Sequence, residues 1–265
     1  MKKILFQGLI IVTSFFATWM ILRQVDWVSI FKIEEATKKT EEKLGELFLD
    51  IFKNSEEENK DEFVIGTVDS LVTSICAGNN LERKKIKVHV LEKDEINAFA
   101  LPNGNLIIYS GLISACESQE ELSGVICHEI AHIELNHVMK TMIKEIGLST
   151  LISISSGNAG SEALKKIAKK LSSSAFDREL EKDADIKAVE YLIKANINPE
   201  ALANFLYKLA DSKAESEHYL SWISTHPDSK ERAEYIIQTA RNKTVKNEPV
   251  LTGQSWVKLK EKMQE

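Results

Sequence analysis

The sequence predicts an α+β fold, mostly helical, with a small antiparallel β-sheet packed on a helix that carries two histidines, His128 and His132. A single transmembrane helix is expected ahead of this folded body. Three observations carry the expectation. Apolar residues recur at helical spacing along most of the chain. Only residues 85–92 and 105–110 alternate with period two, and the turn residues Pro102-Asn103-Gly104 lie between them. Residues 4–22 carry no charge, and at about 1.5 Å per residue they make roughly 28 Å of helix, enough for a bilayer core.

The 265 residues suffice for one domain with appendages. Hydrophobic residues at 43% and charged residues at 28% suit a globular protein with a core. A net charge of -6, with Lys and Arg scattered rather than striped, argues against a nucleic-acid partner. Cys76, Cys116 and Cys127 form no CxxC pair and make no disulfide framework, so they read as small buried apolar residues.

The elements follow in order. Residues 1–25 are the membrane anchor: Lys2 and Lys3 precede the apolar run, and Trp19 and Trp27 suit a membrane interface. A cleaved signal sequence is the competing reading, but Ala17-Thr18-Trp19-Met20 is a poor cleavage site. Lys2 and Lys3 favour a cytoplasmic N-terminus and an exported, periplasm-facing body, against a weak opposing bias from Arg23, Lys32, Lys38 and Lys39. Residues 26–62 comprise a juxtamembrane helix (Ile33, Leu44, Leu47, Phe48 and Ile51 at helical spacing) and a charged linker, NSEEENKDE.

The main domain spans residues 63–241. A helix over 63–77 stops at Gly78-Asn79-Asn80, and the two alternating stretches then form the sheet. His89, inside the first of them, reads as a solvent-facing or core histidine. One helix is expected over 117–146, a mobile loop over 147–160, and a helix over 161–193 interrupted near Ser172-Ser173-Ser174. Pro199 opens a helix through Asp211, Thr225-His226-Pro227 interrupts, and 229–241 is the last helix. Residues 242–265 are taken as a C-terminal tail.

The chemistry begins at VICHEIAHIEL, residues 125–135. Residues four apart share a helix face, so His128 and His132 direct their rings to one point. Glu129, turned about 100° from His128, stands beside that point, where a general base takes a proton from water activated by a metal. Catalytic zinc needs a third protein ligand. A second helix carries Glu181 and Asp185 four apart, suited to a ligand and a carboxylate that accepts the free N–H of a ligand histidine. Glu179 remains a competing ligand on the residues alone, because Asp183 lies four positions after it.

In sequence order, NAFALPNGNLIIYSGLI, CHEIAHIELNH, Glu181-x-x-Ala184-Asp185 and THPDSKER resemble one family. It is the HtpX/BepA/CaaX-prenyl-protease group of membrane-associated zinc metallopeptidases, of the gluzincin type, and the resemblance spans about residues 63–240. It implies a zincin-like helical peptidase domain and one Zn2+ per chain, held by His128, His132 and Glu181. It implies Glu129 as catalytic base and Asp185 as the carboxylate behind a ligand histidine. His226, with Arg232 six residues beyond it, matches the family's late His-Pro motif. It is implied to approach the zinc, either steadying the oxyanion or plugging the fourth position. The segment Asn97, Ala98, Phe99 and Ala100 is implied to be an edge strand to which an extended substrate adds. Two departures stand out: Asp177-Arg178 replaces the usual Ser-Arg, and the chain shows one apolar span where HtpX-like proteins carry several. His137, five residues past His132, is expected to face away from the metal and to be structural.

The function expected is a membrane-anchored zinc metalloendopeptidase that cuts misfolded or unassembled proteins in envelope quality control. The alternative is a plugged member of the same fold that acts mainly as a chaperone or binding protein.

Overall fold

The computed structural model describes residues 33–172, 176–211, 222, 224–241, 243 and 245–264, together with Thr13, Ser14 and Phe16. The expected anchor, residues 4–22, otherwise lies outside the described residues. Among the described residues no helix is long and apolar enough to cross a membrane. The chain divides into two compact units, Met1–Thr40 and Glu41–Glu265, and the second holds every element of the site.

Helix α1 runs Ile33–Ser55, as its apolar spacing predicts. Helix α2, Glu62–Asn79, starts where the Asp61 carboxylate accepts from the Phe63 and Val64 N–H groups, and it stops at Asn80 with φ 55°. The charged linker therefore supplies a helix cap.

Strands β1 (Lys87–Leu91), β2 (Ala98–Leu101) and β3 (Asn105–Tyr109) form one sheet in the order β1-β3-β2. The sheet is mixed, where an antiparallel one was expected: β2 is antiparallel to β3, but β1 is parallel to β3. The cause is the strand hidden between the two alternating stretches. The turn at Pro102-Asn103-Gly104 joins β2 to β3, with Asn103 and Gly104 both in the left-handed region at φ 63° and 68°. Both β1 and β3 run opposite to β2, so the two run alike when they meet. AFAL does not alternate because all four residues are buried.

Both faces of the sheet are covered. Leu106 and Ile108 join a core with Val68, Leu71, Val125 and Leu192, while Ile107 and Tyr109 join a second with Phe48, Phe99, Met142 and Leu151. After α3 (Ser110–Ala115), the Ser118 hydroxyl caps α4, Gln119–Glu134, which is buried along nearly its whole length.

The single helix expected over 117–146 is two. Helix α4 ends at Glu134, Asn136 turns left-handed at φ 59°, and α5 runs His137–Ile146. The stretch expected as a loop contains α6, Leu148–Ser155, which buries Leu151 and Ile154. The expected interruption near Ser172 is present: α7 is Ser161–Leu171 and α8 is Arg178–Lys194. Helices α9 (Glu200–Asp211) and α10 (Ser229–Ala240) follow as expected. The expected tail adds α11, Gly253–Lys262, which buries Leu259; its charged residues mask a single apolar anchor. All three cysteines are buried and free, as their sparse spacing predicts. His89 is half-buried, with Nδ1 2.9 Å from Glu58 Oε1.

Candidate metal centre

His128 and His132 occupy successive turns of α4 and bring their Nε2 atoms to 3.0 Å. Helix α8 packs along α4 and delivers Glu181, whose Oε1 lies 3.2 Å from His132 Nε2 and whose Oε2 lies 3.6 Å from His128 Nε2. All three side chains are buried, whereas Glu179 and Asp183 are exposed on the far side of α8. The helix face thus separates the two candidate ligands that the residues alone leave open.

His226 comes from the segment before α10. Its Nδ1 is 3.1 Å from Glu181 Oε1 and 3.3 Å from His128 Nε2. One donor atom from each of His128, His132, Glu181 and His226 falls within 4.8 Å of all the others. Donors about 2.1 Å from a common tetrahedral ion stand about 3.4 Å apart. These four buried donors, two imidazoles and a carboxylate with a third imidazole, therefore fit a zinc-sized cation in both spacing and chemistry.

Glu129 stands beside the cluster. Its Oε2 accepts the Ala100 N–H at 3.0 Å, while Oε1 is buried without a hydrogen-bond partner, 3.4 Å from His226 Nε2. Burial holds the Glu129 carboxyl above its ordinary pKa, against the pull of His226 and His132. A carboxylate raised in this way is suited to accept and return a proton.

Behind the donor cluster lies a buried charge network. Asp185 Oδ1 is 2.8 Å from His128 Nδ1. The Arg232 guanidinium donates to Asp185 from Nε at 2.7 Å and from Nη2 at 2.8 Å, and its Nη1 is 2.6 Å from Glu181 Oε2. Burial alone would raise the Glu181 pKa, but Arg232 and the histidines hold it well below the carboxylate range. Burial pulls His128 down to about 3 in spite of Asp185, which leaves the neutral ring that can ligate. His226 is shifted up instead: burial lowers it, and Glu181 outweighs that.

The structure brings together every site residue expected from the sequence around α4, α8 and the start of α10. It also shows residues that the sequence did not single out. The Tyr235 hydroxyl donates to Asp185 Oδ2. Phe176 stacks on His132 at 4.1 Å, and Trp222 stacks on His226 at 4.3 Å. His137 is buried and stays outside the donor cluster, but it does not turn away from His132: its Nδ1 lies 3.0 Å from His132 Nδ1, behind the ring. The helix break at Asn136 re-aims it.

The expected substrate segment is strand β2 with Asn97, at an edge of the sheet. The Asn97 carbonyl accepts from Tyr109 N–H on the β3 side, and Ala100 N–H points the other way, to Glu129. Alternation along the strand turns the main-chain groups of Ala98 and Ala100 away from β3, toward the side where α4 packs, and both residues are buried. Phe99 is a core residue, 5.0 Å from the Phe52 ring and 5.6 Å from Tyr109.

Residues 65–240 match the model of Peptidase family M48. Among similar proteins, Metalloprotease LoiP of Escherichia coli (strain K12) is 32% identical over 60% of this chain and 64% of its own length. The Beta-barrel assembly-enhancing protease of the same organism is 25% identical over 81% of this chain and 46% of its own. The mitochondrial Metalloendopeptidase OMA1 of Bos taurus is 29% identical over 63% and 35%. The chain thus spans less than two thirds of the length of these relatives. With most of the folded body matched and the buried donor set in place, the chain belongs to peptidase family M48, the zinc metallopeptidases.

Proposed function

We propose that this chain is a zinc-dependent endopeptidase that cuts exposed segments of misfolded or unassembled proteins. The observation that carries the reading is the convergence of His128, His132 and Glu181 in one buried cluster, with Glu129 beside it. In this reading His128, His132 and Glu181 hold the ion. A zinc ion in such a site supplies Lewis acidity to the scissile carbonyl and to the attacking water. The remaining work belongs to the chain. An extended substrate adds as a further strand along the side of β2 away from β3, at the main-chain groups of Ala98 and the Ala100 carbonyl, a mode that tolerates many side chains. Glu129 receives the proton of the attacking water and passes it to the leaving amine. Asp185 and Arg232 hold the ligands in place.

His226 has a double aspect. Its Nε2 faces Glu129, while its Nδ1 stands among the ligand atoms. The second position favours a resting enzyme in which His226 fills the fourth ligand place, and leaves it to steady the developing oxyanion when substrate enters. A chain that works mainly as a chaperone needs no base, so the intact Glu129 weighs against that alternative.

Envelope quality control and an extracytoplasmic peptidase domain held by a helix over residues 4–22 complete the proposal. They are supported by the apolar run and by relatives whose name is beta-barrel assembly-enhancing protease. The test compares the full chain with its Glu129→Gln variant for zinc content and cleavage of unfolded casein. One zinc in each and cleavage only by the unaltered chain supports the reading. Zinc in each and cleavage by neither supports the plugged state, with His226→Ala as the next variant. Absence of zinc from both defeats the proposal.

A further inference from the structure

We infer that His137 is a positioning residue for zinc binding, holding His132 in the tautomer and orientation that present Nε2 to the ion. The inference rests on the reading of His128, His132 and Glu181 as ligands. Its own basis is a contact that no motif announces: His137 Nδ1 lies 3.0 Å from His132 Nδ1, and both rings are buried.

The tautomers follow from the geometry. His132 Nε2 faces Glu181 Oε1 at 3.2 Å and His128 Nε2 at 3.0 Å, on the side where the donors converge. A neutral imidazole that offers Nε2 as a lone pair carries its proton on Nδ1. That proton points at His137 Nδ1, which therefore accepts, and the proton of His137 sits on its own Nε2. The two α4 histidines are thus served in parallel: Asp185 accepts from His128 Nδ1 at 2.8 Å, and His137 accepts from His132 Nδ1. One partner is a carboxylate on α8 and the other a neutral ring on α5. The Phe176 ring stacked on His132 holds the plane of the ring, but it has no lone pair with which to choose between its nitrogens.

The backbone makes this possible. In an unbroken helix, five residues at about 100° each would turn His137 about 140° away from His132. Asn136 instead takes φ 59°, a conformation asparagine enters more readily than most residues, and α5 begins at His137 in a new direction. The ring is thereby carried back beneath the last turn of α4.

The test measures the zinc dissociation constant of the full chain by competition with a chelator, together with the imidazole nitrogen NMR signals of His132. Three variants separate orientation from packing. His137→Phe keeps the ring volume and removes the acceptor. His137→Asn puts a carbonyl oxygen close to the place of Nδ1. His137→Gln puts its oxygen one methylene farther away. Partners of this kind contribute roughly 10–100-fold to metal affinity. His137→Phe and His137→Gln are expected to weaken zinc binding in that range and to lose the sharp His132 Nδ1–H signal. His137→Asn is expected to keep both affinity and signal close to the original. Zinc binding by His137→Phe equal to that of the unaltered chain overturns the inference. So does an equal loss in the Asn, Gln and Phe variants, which would mark a packing role. If the unaltered chain binds zinc but cuts no unfolded protein, the proposed peptidase activity fails while the role of His137 stands. If it binds no zinc, both fall.

Discussion

The Ala100 N–H donates to Glu129 Oε2 at 3.0 Å, so the edge strand and the candidate base are bonded directly. The same contact leaves Glu129 Oε1 free of hydrogen bonds and turned toward His226. Glu129→Gln keeps an oxygen for Ala100 but loses the basic site, and a positioned base is worth roughly 10²–10⁴-fold. Peptide cleavage should fall by that factor in the steady state while zinc content stays the same. Ala100→Pro removes the donor on an edge strand, where proline is tolerated. Its kcat should fall while the far-ultraviolet circular dichroism is unchanged.

Arg232 touches both Glu181 and Asp185, and all three side chains are buried. Arg232→Met retains most of the volume and takes the guanidinium from two buried carboxylates, leaving them only the histidines and the Tyr235 hydroxyl. Breaking a buried pair in this way costs about 3–5 kcal/mol. Urea unfolding of the metal-free protein should show a loss of that order. Saturating zinc should restore part of it, since a ligand that binds only the folded state stabilises it by mass action.

Gly104 has φ +68°, and a Cβ placed there would lie 1.9 Å from the carbonyl oxygen of Lys85. Both the backbone conformation and the contact with main chain oppose a side chain. Gly104→Ala is expected to cost about 2–3 kcal/mol and to lower the melting temperature, by strain and by displacement of the β2–β3 turn. A variant that melts with the unaltered chain would contradict this account of the turn.

Burial lowers the pKa of His137 to about 4, with His132 acting in the same direction. Its unfolded value is about 6.5, above the folded one, so between those limits the unfolded chain binds more protons. The stability drawn from the neutral buried ring is complete above about pH 6.5 and is lost as pH falls toward 4. Removing the group removes its share of the acid sensitivity. Urea midpoints of metal-free His137→Phe should therefore drop less between pH 7 and pH 5 than those of the unaltered protein. An equal or steeper drop would show that the ring is not held neutral by the fold.

The helices were legible where apolar spacing is regular and ends are marked. Asp61 and Asn80 bound α2, and Ser118 bounds the start of α4. The break at Asn136 is not legible in the sequence because asparagine occurs within helices as well as at their ends, and only its φ separates the two. Strand β2 escaped periodicity because a strand buried on both faces has no polar side to alternate with. Helix α6 escaped because LSTLISIS shows only two buried positions in a background of small polar residues.

At the site, the sequence announced the candidate residues: His128 and His132 at helical spacing with Glu129 between them, then Glu181 with Asp185 on a second helix, while His226 with Arg232 was implied only by the family resemblance. Helical periodicity is local, so residues four apart declare their common face without help from the rest of the chain. What the sequence could not decide is which groups meet across elements. The meeting of Glu181 rather than Glu179 with the two histidines, the arrival of His137 at His132, the Tyr235 hydroxyl on Asp185 and the entry of His226 into the donor cluster all depend on how helices pack and where the backbone turns. Such contacts join residues up to about a hundred positions apart, and no spacing rule encodes them; the burial of α4 between α8, α9 and the sheet does.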